Sequence, residues 1–138
     1  MKRYEQIPHT ADIAAKIYGK DIPELFENAA FAMFDMMADM EGLAGTEEVK
    51  ITLEALDTED LLVSWLNELL YLSYSKALLF YRFHISSLER NKLLAGVTGQ
   101  KLRPYKKRLN VEIKAATYHD ISIEKRDDRY EVTVVFDV

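Results

Sequence analysis

Apolar and polar positions change their rhythm twice along this chain. After a short extended segment around Tyr4 to Ile7 and Pro8, the stretch HTADIAAKIYG carries a second strand up to Gly19. The next stretch, DIPELFENAAFAMFDMMADMEG, switches to helical spacing, with Leu25, Phe26, Ala29, Met33, Phe34, Met36, Met37 and Met40 on one broad apolar face. Asp21 is placed as its N-cap, with Glu24 three residues on, Pro23 in the first turn, and Gly42 in position to end it. VKITLEAL alternates as a strand does. Asp57 or Thr58 then caps a second helix, TEDLLVSWLNELLYLSYSK, whose apolar residues cover more than one stripe and so predict heavy burial.

Beyond this helix the rhythm becomes that of strands: LLFYRFHISSL, a turn at ERN, KLLAGVTG, a basic loop, VEIKAATY, DISIEK, a turn at RDDR, and YEVTVVFDV. Helices early and strands late predict an α+β fold. The expected architecture is a two-layer sandwich, a mainly antiparallel sheet with two helices packed on one face. Within the last strand, Tyr130, Val132, Val134 and Phe136 share the core parity, while Glu131, Thr133, Val135 and Asp137 face outward.

Length and composition narrow the class. With 138 residues, 49% hydrophobic and 30% charged, and no linker or repeat, the chain reads as one soluble domain over residues 1–138. A net charge of −5 disfavours a general nucleic-acid binder. The lack of cysteine excludes disulfides and thiolate chemistry and fits a reducing compartment. The basic start MKRYEQIPHT has no apolar stretch behind it, and the apolar runs are too short and too interrupted to span a bilayer. The expected location is the cytoplasm, without membrane association.

Familiar catalytic signatures are missing: no Gly-rich phosphate loop, no Gly-x-Ser-x-Gly elbow and no His-Glu-x-x-His pair. His9, His84 and His119 lack zinc-ligand spacing; His84, in an aromatic strand, reads as a hydrogen-bonded structural histidine. Asp137 and the α-carboxylate of Val138 place two negative groups side by side, and Asp12 supplies a third if the first and last strands are neighbours. Oxygen-only donors suit a hard cation such as Ca²⁺ or Mg²⁺, whereas the bland alternatives are an Asx-turn at Asp12 and a solvated strand end at Asp137. KLRPYKKR, with Lys101, Arg103, Lys106, Lys107 and Arg108 around Tyr105, reads either as a solvated loop or as a contact for RNA phosphate or an acidic partner. In EIKAATYHD, Lys114 points away from the core, and His119 stands at the strand end beside Asp120.

These motifs together resemble those of the archease family. HTADIAAKIYG resembles its opening motif, ELFENAAFAMFDMM its first helix, SWLNELLYL its second, EIKAATYH its late Lys-Ala-x-Thr-Tyr-His motif, and the ending FDV its closing Phe-Asp-aliphatic. The resemblance covers nearly the whole chain. It implies a protein with no turnover of its own that activates the GTP-dependent tRNA-splicing RNA ligase of the RtcB type. Such a protein promotes guanylylation of the ligase histidine and multiple turnover, broadens nucleotide use, and meets tRNA indirectly. It further implies a metal, Ca²⁺ with Mg²⁺ or Mn²⁺ as alternatives, held by Asp12, Asp137 and Val138, with His9, Lys114 and His119 serving partner binding or activation. One stretch departs from the family: QKLRPYKKRLN after Gly99 replaces acids and a His, so roles given to that loop elsewhere do not carry over. The competing reading is a small metal-dependent phosphohydrolase using the same carboxylates, and a third is an RNA chaperone acting through KLRPYKKR.

Overall fold

A computed structural model describes residues 2–9 and 11–138. Among the described residues, eight strands and two α-helices follow in the order β1 (Tyr4–Ile7), β2 (Ile13–Gly19), α1 (Ile22–Met37), β3 (Glu47–Glu54), α2 (Thr58–Lys76), β4 (Leu78–Glu89), β5 (Lys92–Lys101), β6 (Ala115–Ala116), β7 (Glu124–Arg126) and β8 (Arg129–Asp137), with one turn of 3-10 helix at Tyr105–Arg108 between β5 and β6. The fold is α+β, as the rhythm predicts, and the strands divide between two antiparallel sheets. One sheet runs β1-β2-β8-β6, with β7 also paired to β8, and the other runs β3-β5-β4. Alternation alone specifies which face of a strand is buried and leaves its pairing partner open, so one sheet or two cannot be told from it.

Both helices begin where the capping residues predict. Asp21 accepts from the Glu24 N–H at 2.8 Å, and Asp57 accepts from the Asp60 N–H at 2.8 Å. α1 ends earlier than expected. Ala38, not Gly42, is the C-cap, and it turns to an extended conformation that bridges Leu109, while Asp39 N donates to Arg108 O and Asn110 N to Met37 O. Tertiary pairing with the 108–111 segment thus supplies partners that a longer helix would have found within itself. α2 ends on Ala77 in the left-handed region (φ 54°).

The helices contact strands of both sheets, α1 meeting β2 and β4 and α2 meeting β4 and β6. The core between them holds Trp65, Phe26, Phe34, Phe80 and Phe136, all fully buried, and Trp65 Nε1 donates to Phe26 O at 3.0 Å. In β8 the inward parity holds, with Val132, Val134 and Phe136 buried. The outward parity needs correction: Asp137 is exposed as expected, but Val135 and Glu131 are 5% and 7% exposed. Thr117 N and Thr117 Oγ1 both donate to Val135 O, bringing the segment after β6 against this edge. Glu131 lies among Lys16 Nζ at 3.3 Å, Arg129 Nη2 at 3.2 Å and Arg126 Nε at 3.8 Å.

Candidate functional site

The register of three strands assembles one corner of the five-stranded sheet. β2 and β8 are antiparallel neighbours whose ladder ends on Ile13↔Phe136. Asp12 precedes that pair and Asp137 follows it, so the residues from opposite ends of the chain flank the same rung, with paired Cα atoms about 4.5–5.5 Å apart. On the other side of β8, Ala115 pairs with Asp137, and Lys114 N donates to Asp137 O at 2.7 Å. Lys114 is exposed, Asp137 is exposed, and Val138 is 38% exposed.

Two histidines complete the corner. His9 Nδ1 stands 3.7 Å from Asp12 Oδ2, and the His9 and His119 rings meet edge to face with centroids 5.8 Å apart at 79°. His119 Nε2 is 3.3 Å from Asp120 Oδ2, in a turn where Asp120 adopts a left-handed φ of 48°. The structure therefore brings His9, Asp12 and His119 into one contact chain and places Lys114, Asp137 and Val138 beside it by register. Thr10, in the middle of the His-Thr-Ala-Asp motif, lies outside the described residues.

Chemically, the corner offers hard carboxylate oxygens with imidazole nitrogen at their margin. Among the described residues, no three His, Asp or Glu side chains form a metal-holding group. A cation here would draw on Asp12, Asp137 and main-chain oxygen of Val138. That is an all-oxygen set of the kind suited to Ca²⁺ or Mg²⁺, and the residues present fit such an ion in donor chemistry.

The segment carrying Lys114 and His119 is less of a strand than VEIKAATY predicts. Only Ala115 and Ala116 pair with β8 as strand residues, Lys114 N and Thr117 N add one bond each to β8, and side chains of helix α2 hold the segment from its other side. Asn67 Nδ2 donates to Ala116 O at 3.0 Å, and Asn67 Oδ1 accepts from Ala116 N at 2.8 Å. The Tyr118 hydroxyl donates to Asp60 Oδ1 at 2.6 Å. That bond is the largest cause raising the Tyr118 phenol and, from the other side, the largest cause holding the Asp60 carboxyl below its ordinary range. Nothing in the motif reading singled out Asn67 or Asp60; their seven-residue spacing on one helix was the available signal.

Two other expectations are corrected. Tyr105 is not an aromatic lying open among the charges: it is 9% exposed, and its hydroxyl shares a 2.5 Å hydrogen bond with Ser73 Oγ. Arg108 is held by Asp39 O and Glu41 O, which leaves Lys101, Arg103, Lys106 and Lys107 as the exposed part of the basic loop. His84 is not the hydrogen-bonded structural histidine expected: its side chain is 79% exposed, and its Nδ1 is 4.0 Å from Glu27 Oε2, beyond hydrogen-bond reach. Gln100, where the loop departs from the family, accepts from Ala44 N at 2.8 Å and Gly45 N at 3.1 Å, a structural use. No helix among the described residues is long and apolar enough to cross a membrane.

Comparison with known proteins adds to the geometry. The model of the archease protein family matches residues 4–138. Protein archease of Methanosarcina mazei is 38% identical over 141 residues, covering 99% of this chain and 97% of that protein. Protein archease of Pyrococcus abyssi is 39% identical with both chains fully covered. A solution structure of a protein from Methanobacterium thermoautotrophicum superposes with a TM-score of 0.85 at 31% identity over the whole of both chains. A crystal structure from Thermotoga maritima, described as an archease and possible chaperone, superposes with a TM-score of 0.65 at 29% identity, covering 97% of this chain and 96% of that one.

Proposed function

The chain belongs to the archease family, and from that membership we propose that it is a non-catalytic, metal-binding activator of the GTP-dependent, RtcB-type tRNA-splicing RNA ligase. In this reading it works in the cytoplasm, promotes guanylylation and repeated turnover of the ligase, broadens the nucleotides the ligase accepts, and meets tRNA through the ligase.

One observation supports the reading above the others: the β2–β8–β6 register gathers Asp12, Asp137, Val138, Lys114, His9 and His119, drawn from three distant parts of the sequence, at one solvent-facing corner. Asp12, Asp137 and Val138 would hold a hard divalent cation. When bound, that ion supplies a fixed positive charge and removes the repulsion between neighbouring carboxylates. His9, between Asp12 and the His119 ring, orients both groups. Lys114 presents an exposed ammonium to anionic groups of the partner, and His119, with a side chain 58% exposed, offers ring nitrogens for hydrogen bonds.

Reconstitution with the cognate ligase tests the proposal. Added protein is expected to accelerate single-turnover guanylylation and to support multiple-turnover ligation. Asp12→Ala and Asp137→Ala are expected to remove both effects with circular dichroism unchanged. Unaltered ligase kinetics in the presence of the wild-type protein would sink the activator reading. Metal-dependent release of phosphate from nucleotides by the protein alone would favour the phosphohydrolase instead.

A further inference from the structure

Helix α2 carries a line of polar groups that the carboxylate corner does not explain. Asp60, Asn67 and Tyr74 recur at seven-residue intervals, two helical turns apart, and so share one stripe of the helix. Their partners on the facing segment run in the opposite direction. Tyr74 OH donates to Ile113 O at 2.6 Å, Asn67 bonds both backbone groups of Ala116, and Asp60 accepts from Tyr118. Beside Asp60, Glu59 Oε2 accepts from Ile123 N at 3.1 Å. The first spacing matches: seven helical residues rise about 10.5 Å, and the three extended residues from Ile113 to Ala116 span about 10 Å; over the second, Ala116 to Tyr118 covers only about 6.7 Å and the long Tyr118 side chain reaches the remainder.

Bonds alternate along this segment. Lys114 N and Thr117 N turn to β8, donating to Asp137 O and Val135 O, while Ile113, Ala116 and Tyr118 turn to α2. The Asn67 amide takes the place of a further strand, giving Ala116 the donor and the acceptor that an edge residue lacks. Beyond it Ile121 and Ile123 pack half-buried against the core, but the turn of Tyr118, His119 and Asp120 before them is exposed, so burial does little to fix that turn. Where apolar contact is thin, the hydrogen bonds choose the conformation.

We propose that Asp60, Asn67 and Tyr74 form a positioning track for the segment that bears Lys114 and His119, with Asn67 as its central positioning residue. None of the three needs to touch a partner. They act by keeping His119 against His9 and Lys114 beside Asp137. The functional consequence rests on the activator reading; the positioning itself does not.

The test pairs nuclear magnetic resonance of the free protein with ligase titration. In Asn67→Leu the Ala116 amide is expected to lose its exchange protection and the His9–His119 ring contact to weaken. Asn67→Asp supplies a discriminating pH profile. Ionised, its carboxylate accepts from Ala116 N–H but has no proton for Ala116 O; protonated, it reproduces the amide pattern. Its Ala116 and His119 signals are therefore expected to return toward those of the wild type at the same pH as pH falls below about 5, while Asn67→Leu stays displaced throughout. Tyr118→Phe removes the hydroxyl that bonds Asp60 and leaves Asn67 and Tyr74 in place, and it carries the test if Asn67→Leu does not fold.

With ligase, a segment in its competent position only a tenth of the time raises the half-saturating concentration about tenfold and leaves the plateau of activation unchanged. Wild-type-like Ala116 protection and His119 signals in Asn67→Leu, or no pH response in Asn67→Asp, would overturn the track. Displaced signals with an unchanged half-saturating concentration would overturn its role in recognition. A wild-type protein that fails to activate the ligase counts against the activator reading alone, because the resonance measurements still decide the positioning.

Discussion

The phenol of Tyr118 donates to Asp60 Oδ1 across 2.6 Å, so a single hydroxyl ties the exposed turn before β7 to the first turn of α2. The bond moves the two pKa values apart, raising that of Tyr118 and lowering that of Asp60. Each end therefore has its own pH limit. Asp60, with a depressed folded pKa, contributes fully above the ordinary aspartate value of about 3.9 and loses its contribution as pH falls through the lower folded value. Tyr118, with a raised folded pKa, contributes fully below about 10 and loses its contribution as pH rises through the higher folded value. The melting-temperature difference between the wild type and Tyr118→Phe is expected to be level from about pH 5 to 9 and to shrink at both extremes. A difference that stays constant down to pH about 2 would show that Asp60 is not the partner that matters.

Metal dependence has a readout independent of the ligase. A ligand that binds only the folded state adds about 2.7 kcal/mol of stability at a hundred times its dissociation constant. Calcium is expected to raise the melting temperature of the wild type, and Asp12→Ala and Asp137→Ala are expected to lose most of that rise. Equal calcium-induced shifts in the wild type and both variants would remove the two carboxylates from the donor set.

The basic loop is expected to matter for stability more than for binding. Tyr105 fills a nearly closed position, packs edge to face on Tyr74 with centroids 5.9 Å apart, and shares its hydroxyl with Ser73. Tyr105→Phe keeps the ring and loses one hydrogen bond, which is expected to cost about 0.5–1.5 kcal/mol in chemical denaturation. Replacing Lys106 and Lys107 together by Ala is expected to change stability by less than about 0.5 kcal/mol, since both are exposed. A steep loss of RNA affinity in that double variant would revive a nucleic-acid role for the loop.

Part of this architecture is readable in the sequence. Strong local chemistry came through: Asp21 and Asp57 cap the helices that their positions predict, and the all-round apolar pattern of α2 corresponds to a helix with Leu61, Leu62, Val63, Trp65, Leu66 and Leu69 fully buried. Features settled by distant partners did not. The end of α1 depends on Arg108 and Leu109, some seventy residues away, and the outward parity of Glu131 and Val135 reverses no alternation but is covered by segments that return from elsewhere. The corner itself was legible only as separate motifs. Asp12 and Asp137 become neighbours through a β2–β8 ladder joining the two ends of the chain, and His9 meets His119 because α2 holds the latter's segment in place. No periodicity within any one element encodes those meetings.

A lesion far from the corner separates fold from site. Gly19, the last residue of β2, pairs with Tyr130 at the opposite end of the ladder from Ile13 and Phe136. A Cβ on Gly19 would stand 2.4 Å from Leu25 N, 2.7 Å from Leu25 Cα and 3.1 Å from Asp21 O, all of them backbone atoms at the start of α1. No side-chain rotation relieves such contacts, so the helix or the strand must move. Gly19→Ala is expected to lower stability by at least the roughly 1–3 kcal/mol typical of overpacking. The proposed cation donors lie a full strand away, and distant sites add nearly independently. The calcium-induced rise in melting temperature is therefore expected to keep its wild-type size in Gly19→Ala, measured against that variant's own lower baseline. Loss of the increment in Gly19→Ala would mean that the corner depends on the whole β2–β8 ladder and not on its last rung.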